Sequence, residues 1–204
     1  MGIVRLSASV SLDGYCAGPD TSPQAPVGVG GERLHRWLFS AEGDDRAVAA
    51  GGTTPAGADA AVAAELSSST GAVVVGRRTY DVGVDIWGDT PFPVPTFVVS
   101  HRASPPRAMT SAAFTFVTDG LAAAIEQARA AAGDRDVLVM GGASINRQTI
   151  AEGLADELLL TLVPVLLHRG ERLFGSDDEG PTELERIEVV PTDEATHLRF
   201  RVAR

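Results

Sequence analysis

Lysine is absent from this chain: all 17 basic residues are arginine. That absence excludes a phosphate loop built on lysine, a Schiff-base lysine and a pyridoxal-phosphate site. Cysteine is nearly absent too. Cys16 stands alone, so no internal disulfide can form, and the chain is expected in a reducing cytoplasm. No apolar run approaches the ~20 residues of a bilayer span. The opening residues MGIVRLSASV lack a basic leader ahead of a long apolar core. Positive charge is scarce: 17 arginines against 27 Asp and Glu give a net charge of −10. A general nucleic-acid or membrane-surface role is therefore not expected, whereas a local basic pocket is still allowed. His35, His101, His168 and His197 are scattered, with no His or Cys neighbour at metal-ligand spacing. No metal site is expected, and each histidine reads as a surface or capping residue.

What is present is an α/β pattern. With 204 residues, 44% apolar and 22% charged, the chain reads as one globular domain with a substantial core. Val4, Leu6, Ala8 and Val10 alternate with polar residues, as a strand does. Asp13-Gly14 turns the chain, and a proline-rich loop runs from Pro19 to Pro26. Glu32 to Ser40 reads as a helix with Leu34, Trp37 and Leu38 on one face. A breaker-rich loop at Gly51 to Gly57 precedes an alanine-rich helix, Ala58 to Leu66. Ala72–Val75, Thr96–Val99 and Val137–Met140 are continuously apolar, which predicts strands covered on both faces of a parallel sheet. Phe114–Val117 is a shorter strand, and Leu121, Ile125, Ala128 and Ala132 mark a surface helix after it. Glu157–Val163, Glu185–Val190 and His197–Val202 make a strand-rich end. These last strands place apolar side chains near a sheet edge, which predicts a homodimer.

The chemistry-bearing stretches lie where strands end. In DVLVMGGASIN (Asp136 to Asn146) an apolar strand meets Gly141 and Gly142 and then opens a helix. Paired glycines allow close backbone approach, and a helix N-terminus suits a phosphate. VVVGRRTY repeats the junction at Gly76, adding Arg77, Arg78 and Thr79, which suit a bidentate anion contact. Ser100-His101-Arg102 ends a third strand. In open α/β sheets ligands sit beyond the carboxyl ends of strands. Tight helix–strand packing could by itself explain the glycines, but three such exits on one edge favour phosphate binding. GVGGER (Gly28 to Arg33) lacks the third glycine of a dinucleotide fingerprint and reads as a loop. GASIN resembles a nucleophile elbow without its last glycine, so a hydrolase using Ser144 is the weakest alternative.

Taken together, ASVSLDGYCAG, VVVGRRTYD, TFVVSHR, VLVMGGASI and LVPVLLHRGERLF resemble the dihydrofolate-reductase-like superfamily. Within it the chain is most similar to stand-alone relatives of the reductase domain of riboflavin biosynthesis, the RibD C-terminal domain. The resemblance runs from Val4 to about Phe200. It implies a three-layer α/β/α sandwich with a mostly parallel central sheet and antiparallel C-terminal strands, commonly a homodimer. It also implies a reductase that takes NADPH and a small-molecule substrate. Carried over, Gly76, Arg77, Arg78 and Thr79 would hold the adenosine-side phosphates, and Ser100, His101 and Arg102 would border the 2′-phosphate. Gly141, Gly142, Ala143, Ser144 and Ile145 would line the pyrophosphate and nicotinamide ribose. Ala8, Cys16, Ala17 and Gly18 would border the nicotinamide. Tyr15, Trp37 and Trp87 could wall a planar substrate, with core packing as the competing role for a tryptophan.

Two departures bear on the substrate. Leu34 stands where folate reductases carry an acid one turn before an aromatic residue, which speaks against folate reduction. GRRTYDVGVDIWGD departs from the riboflavin-type segment, which speaks against the aminouracil substrate of 5-amino-6-(5-phosphoribosylamino)uracil reductase. Asp13, Glu32, His35 and Asp85 are the polar groups left near the substrate as catalytic candidates. The expected activity is hydride transfer to a pterin- or aminopyrimidine-like heterocycle or a carbonyl compound. A non-catalytic nucleotide- or drug-binding protein of the same fold is the alternative in another class.

Overall fold

The computed structural model describes residues 2–38, 57–175 and 180–203. The alternating residues at the N-terminus form β1 (Val4–Ser11), followed by a short strand β2 (Tyr15–Ala17) and a 3-10 helix, Gly31–Leu38. Helix α1 (Gly57–Ser69) leads into β3 (Thr70–Gly76), α2 (Arg77–Trp87) and β4 (Thr96–Val99). Then come β5 (Arg107–Ala108), β6 (Ala113–Val117), α3 (Leu121–Ala132), β7 (Asp136–Val139) and α4 (Ala143–Ala151). The chain ends in β8 (Glu157–Val163), β9 (Glu171–Arg172), β10 (Leu184–Pro191) and β11 (Thr196–Val202).

Among the described residues nine strands form one sheet in the order β10-β11-β8-β1-β7-β3-β4-β6-β5, and β2 pairs with β9. The run from β8 to β6 is parallel, and β11, β10 and β5 are antiparallel to their neighbours. The continuously apolar strands are indeed covered on both faces. Val73, Val74 and Val75 expose no surface, each burial stabilising by roughly 1.5–3 kcal/mol. Strand alternation sends them to two separate cores. Val73, Val75 and Leu138 pack with Leu34, Trp37, Leu66 and Val84, from the 3-10 helix, α1 and α2. Ala72, Val74, Val137 and Val139 pack with Leu121, Ala124, Ile125 and Ile145, from α3 and α4.

The sheet centre is clamped at its N-terminal edge by a buried arginine on β1. Arg5 is 6% exposed. Its guanidinium lies 3.3 Å from Asp136 on β7 and 3.2 Å from Glu157 on β8, and it donates to Ser69 Oγ at 3.0 Å. Two carboxylates and a hydroxyl offset the cost of removing this charge from water.

Several expectations change. The predicted helix Glu32–Ser40 is a 3-10 helix from Gly31 to Leu38, and Phe39 and Ser40 lie outside the described residues. So does the predicted loop from Gly51, except for Gly57, which opens α1; that helix runs three residues past Leu66. The surface helix α3 is as expected: it buries Leu121, Ile125, Ala128 and Ala132 against the sheet and exposes its other face. His197 is no surface residue: it is 2% exposed, between Thr161 and Asp59.

Candidate active site

Because β1, β3, β4 and β7 run parallel, their C-terminal ends open on one side of the sheet, and a cleft of about 1700 Å³ lies there. Two strand-to-helix junctions form its floor. The Gly76 N–H donates to Gly141 O at 2.8 Å and ties the exit of β3 to that of β7. Gly76 is glycine for packing: a Cβ there would stand 2.9 Å from Ile145 Cγ1. Gly141 is glycine for conformation, with φ 111°, and the Gly141–Gly142 peptide is cis. A Cβ on Gly142 would crowd Thr79 Oγ1 at 3.3 Å.

Gly76 and Gly142 are the N-caps of α2 and α4, and neither helix has a side-chain cap. Orphan N–H groups of both first turns are thus left without a side-chain acceptor at the cleft, where an anion fits them. Arginines stand around this end in unequal states. Arg77 donates to Asp81 at 2.8 Å and lies over the Phe116 ring at 5.4 Å. Arg78 donates to Thr21 Oγ1. Arg102 is exposed, with no hydrogen bond or ion pair from its guanidinium among the described residues. Ser100 shapes this exit, since its Oγ accepts from the Arg102 N–H at 3.0 Å and donates to Arg102 O at 2.9 Å.

The ribbon β2–β9 brings Cys16, Ala17 and Glu171 to the cleft. Burial and the nearby Glu171 carboxylate push the Cys16 thiol up to about 11, so it stays protonated and unreactive. Two tryptophans also line the cleft. Trp37 donates from Nε1 to Ser9 Oγ at 2.9 Å, and Trp87 stacks on Phe114 with ring centres 6.2 Å apart.

Of the residues carried over to the cofactor, all line this cleft except Gly18. Gly18 packs against backbone: a Cβ would stand 2.1 Å from Val29 O. Trp37 and Trp87 line it, but Tyr15 does not; its ring lies beneath the Arg172 guanidinium at 4.7 Å. Among the catalytic candidates, Glu32 and His35 line the cleft and Asp13 and Asp85 do not. Asp13 instead accepts from Ser11 Oγ at 2.6 Å and from the N–H groups of His168 and Leu167 at 2.7 and 3.1 Å. The Ser11 bond and these two N–H donors hold its carboxyl down at about 2. Asp85 is exposed and faces Arg107 at 3.6 Å. Ser144 Oγ accepts from Gln148 Nε2 at 3.0 Å, and no histidine among the described residues bonds to it, which gives hydrolysis no support. Ser7, Ser9, Thr90 and Asn146 also line the cleft. Ser7 and Ser9 were legible as the polar positions of β1, but nothing in the sequence marks Thr90.

The profile of the RibD C-terminal domain matches residues 3–198. None of the curated proteins is a significant sequence match. Among solved structures, a protein from Shewanella sp. PV-4 named for riboflavin biosynthesis has a TM-score of 0.71 and 22% identity, over 99% of both chains. A diaminohydroxyphosphoribosylaminopyrimidine deaminase/5-amino-6-(5-phosphoribosylamino)uracil reductase from Thermotoga maritima gives a TM-score of 0.66 at 13% identity. That match covers 99% of this chain and 57% of the other. Dihydrofolate reductase from Enterococcus faecalis, solved with NADP(H), gives 0.57 at 11% identity, over 100% and 98% of the two chains. At such identities the likeness is one of fold, which is dihydrofolate-reductase-like.

Proposed function

This chain belongs to the RibD C-terminal domain family, and from that membership we propose that it is an NADPH-dependent reductase of a small heterocyclic or carbonyl substrate. The observation that carries the reading is the pair of helix N-termini, α2 and α4, open without side-chain caps on one cleft and tied together by the Gly76–Gly141 bond. Their N–H groups suit a pyrophosphate. Arg102 and Arg78 suit the adenosine-side phosphate. When bound, the dinucleotide supplies the hydride. The chain's own residues bind and orient: Gly141 leaves space for close approach, and Trp37 and Trp87 offer flat apolar surface to a substrate. Glu32 and His35, the two catalytic candidates that line the cleft, are the groups placed to handle a proton. The same reading has the chain acting in the cytoplasm as a homodimer, paired through the open face around β10.

The test is NADPH oxidation followed at 340 nm with free and phosphorylated pyrimidines, pterins and simple carbonyl compounds. Saturable oxidation with at least one compound is expected. Dihydrofolate should turn over far below the ~10 per second of an average enzyme, because Leu34 is a fully buried core residue. Binding of NADPH without turnover of any compound would favour the non-catalytic alternative.

A further inference from the structure

Four buried side-chain polar atoms among the described residues have no hydrogen-bond partner: His35 Nδ1, Thr90 Oγ1, Asn146 Oδ1 and Arg199 Nε. Arg199 is already neutralised, with its guanidinium 2.7 Å from Glu65. The other three residues all line the one cleft. A buried polar atom left unpaired is costly, and folded proteins carry few of them. Three on one cavity mark groups whose partners arrive with a ligand.

Their positions are ordered. His35 lies on the 3-10 helix, and Thr90 lies in the segment after α2, three residues past Trp87. Asn146 comes from α4. Thr90 and Asn146 are each 3% exposed. All three groups are neutral, since burial pushes the His35 imidazole below its ordinary range. An ionised substrate group set against them would lose its hydration and gain no counter-charge. Arg77, Arg78 and Arg102 stand instead at the exits of β3 and β4.

We propose that the part of the cleft lined by His35, Thr90 and Asn146 is a subsite for an uncharged, flat nitrogen heterocycle without a phosphate, read by these three residues. Asn146 Oδ1 accepts a ring or exocyclic N–H, the Thr90 hydroxyl donates or accepts, and the His35 imidazole supplies the third contact. This rests on the reductase reading for its identity as the substrate end, and it narrows that reading to the free base rather than its ribosyl phosphate.

Calorimetric titration of the full chain without cofactor tests it. The probes are 5,6-diaminouracil and lumazine as free bases, and the phosphoribosylamino form of the uracil. The free bases should bind, and the phosphorylated form should bind no more than about threefold tighter, since a real charged contact would give about tenfold or more. Thr90→Val and Asn146→Leu should each weaken the free bases roughly tenfold. Thr90→Val should not alter NADPH affinity. The Thr90→Val thermal midpoint should hold or rise, because a methyl replaces a hydroxyl that is unpaired in the free protein. A merely structural Thr90 would show the reverse: a lower midpoint and unchanged binding. That result, a phosphorylated probe bound more than about tenfold tighter, or no binding by either base would overturn the proposal. Free bases that bind to a protein that takes no NADPH would leave the subsite standing and remove the reductase reading instead.

Discussion

His197 Nε2 lies 2.7 Å from Asp59 Oδ1, across 138 residues of sequence. The same imidazole meets Thr161 Oγ1 through Nδ1 at 3.0 Å and stands edge-on to the Trp37 indole, ring centres 4.8 Å apart. A wall of the cleft is thus backed by a buried polar pair. Removing His197 leaves a buried carboxylate without its partner, so His197→Ala should cost about 3 kcal/mol or more by urea denaturation. Asp59→Asn, which keeps an acceptor in place, should cost less. In a Trp87→Phe background, the His197 variant should also shift the emission of Trp37.

The cofactor preference should rest on Arg102 more than on Arg77. Arg77 is engaged with Asp81 and Phe116, whereas the Arg102 guanidinium has no partner among the described residues. Arg102→Ala should weaken NADPH roughly tenfold, within the ~1.5–3 kcal/mol of a charge-assisted bond, and leave NADH and the melting temperature unchanged. Arg77→Ala should cost stability as well as affinity. Raising salt should shrink the NADPH preference, because the site is at a wet rim. Equal wild-type affinity for the two cofactors would remove the role given to these arginines.

Strand β10 is exposed along nearly its whole length, with Leu184 at 40%, Ile187 at 42% and Val189 at 44%. Apolar residues on an edge strand invite pairing. Light scattering should report about twice the chain mass of 21.2 kDa. Ile187→Glu with Val189→Glu should give a monomer with an unchanged circular dichroism spectrum. A wild-type monomer at micromolar concentration would refute the assembly.

Asp13 sets a pH dependence. Its carboxyl is held at about 2, below the ordinary 3.8, by Ser11 and the N–H groups of His168 and Leu167. A depressed carboxyl contributes stability above its unfolded value and loses it as the proton returns. Asp13→Asn should therefore lower stability at neutral pH. In urea titrations the gap to wild type should close as pH falls from about 4 towards 2. A gap independent of pH would show that the ionised form has no special role.

The fold was legible where the signal was local. Continuous apolarity at Val73–Val75 and Val137–Val139 reported a strand buried on both faces, and the glycines at 76, 141 and 142 reported strand exits. The alternation at Val4–Val10 reported the first strand. What escaped depends on distant partners. His197 looks polar until Asp59 and Thr161 close around it, and Asp13 looks free in a turn until the backbone at 167 and 168 docks on it. Tyr15 was drawn away by Arg172, a cation far along the chain. The strands β2, β5 and β9 are two or three residues long, too short to show a period. Thr90 and Asn146 are distinguished only by being buried and unpaired, which no spacing encodes.

The placement of β7 has a consequence for how the protein is made. This strand lies between β1 and β3, with Val4 opposite Val137 and Val73 opposite Leu138, yet it follows both in the chain. At a synthesis rate of roughly 5–20 residues per second, β1 waits on the order of ten seconds for its central neighbour. Until then two apolar strand edges lack their native cover, and the nascent chain is exposed to wrong pairings. The stitch between Gly76 and Gly141 can form only after that delay. The cleft is therefore among the last parts of the molecule to exist.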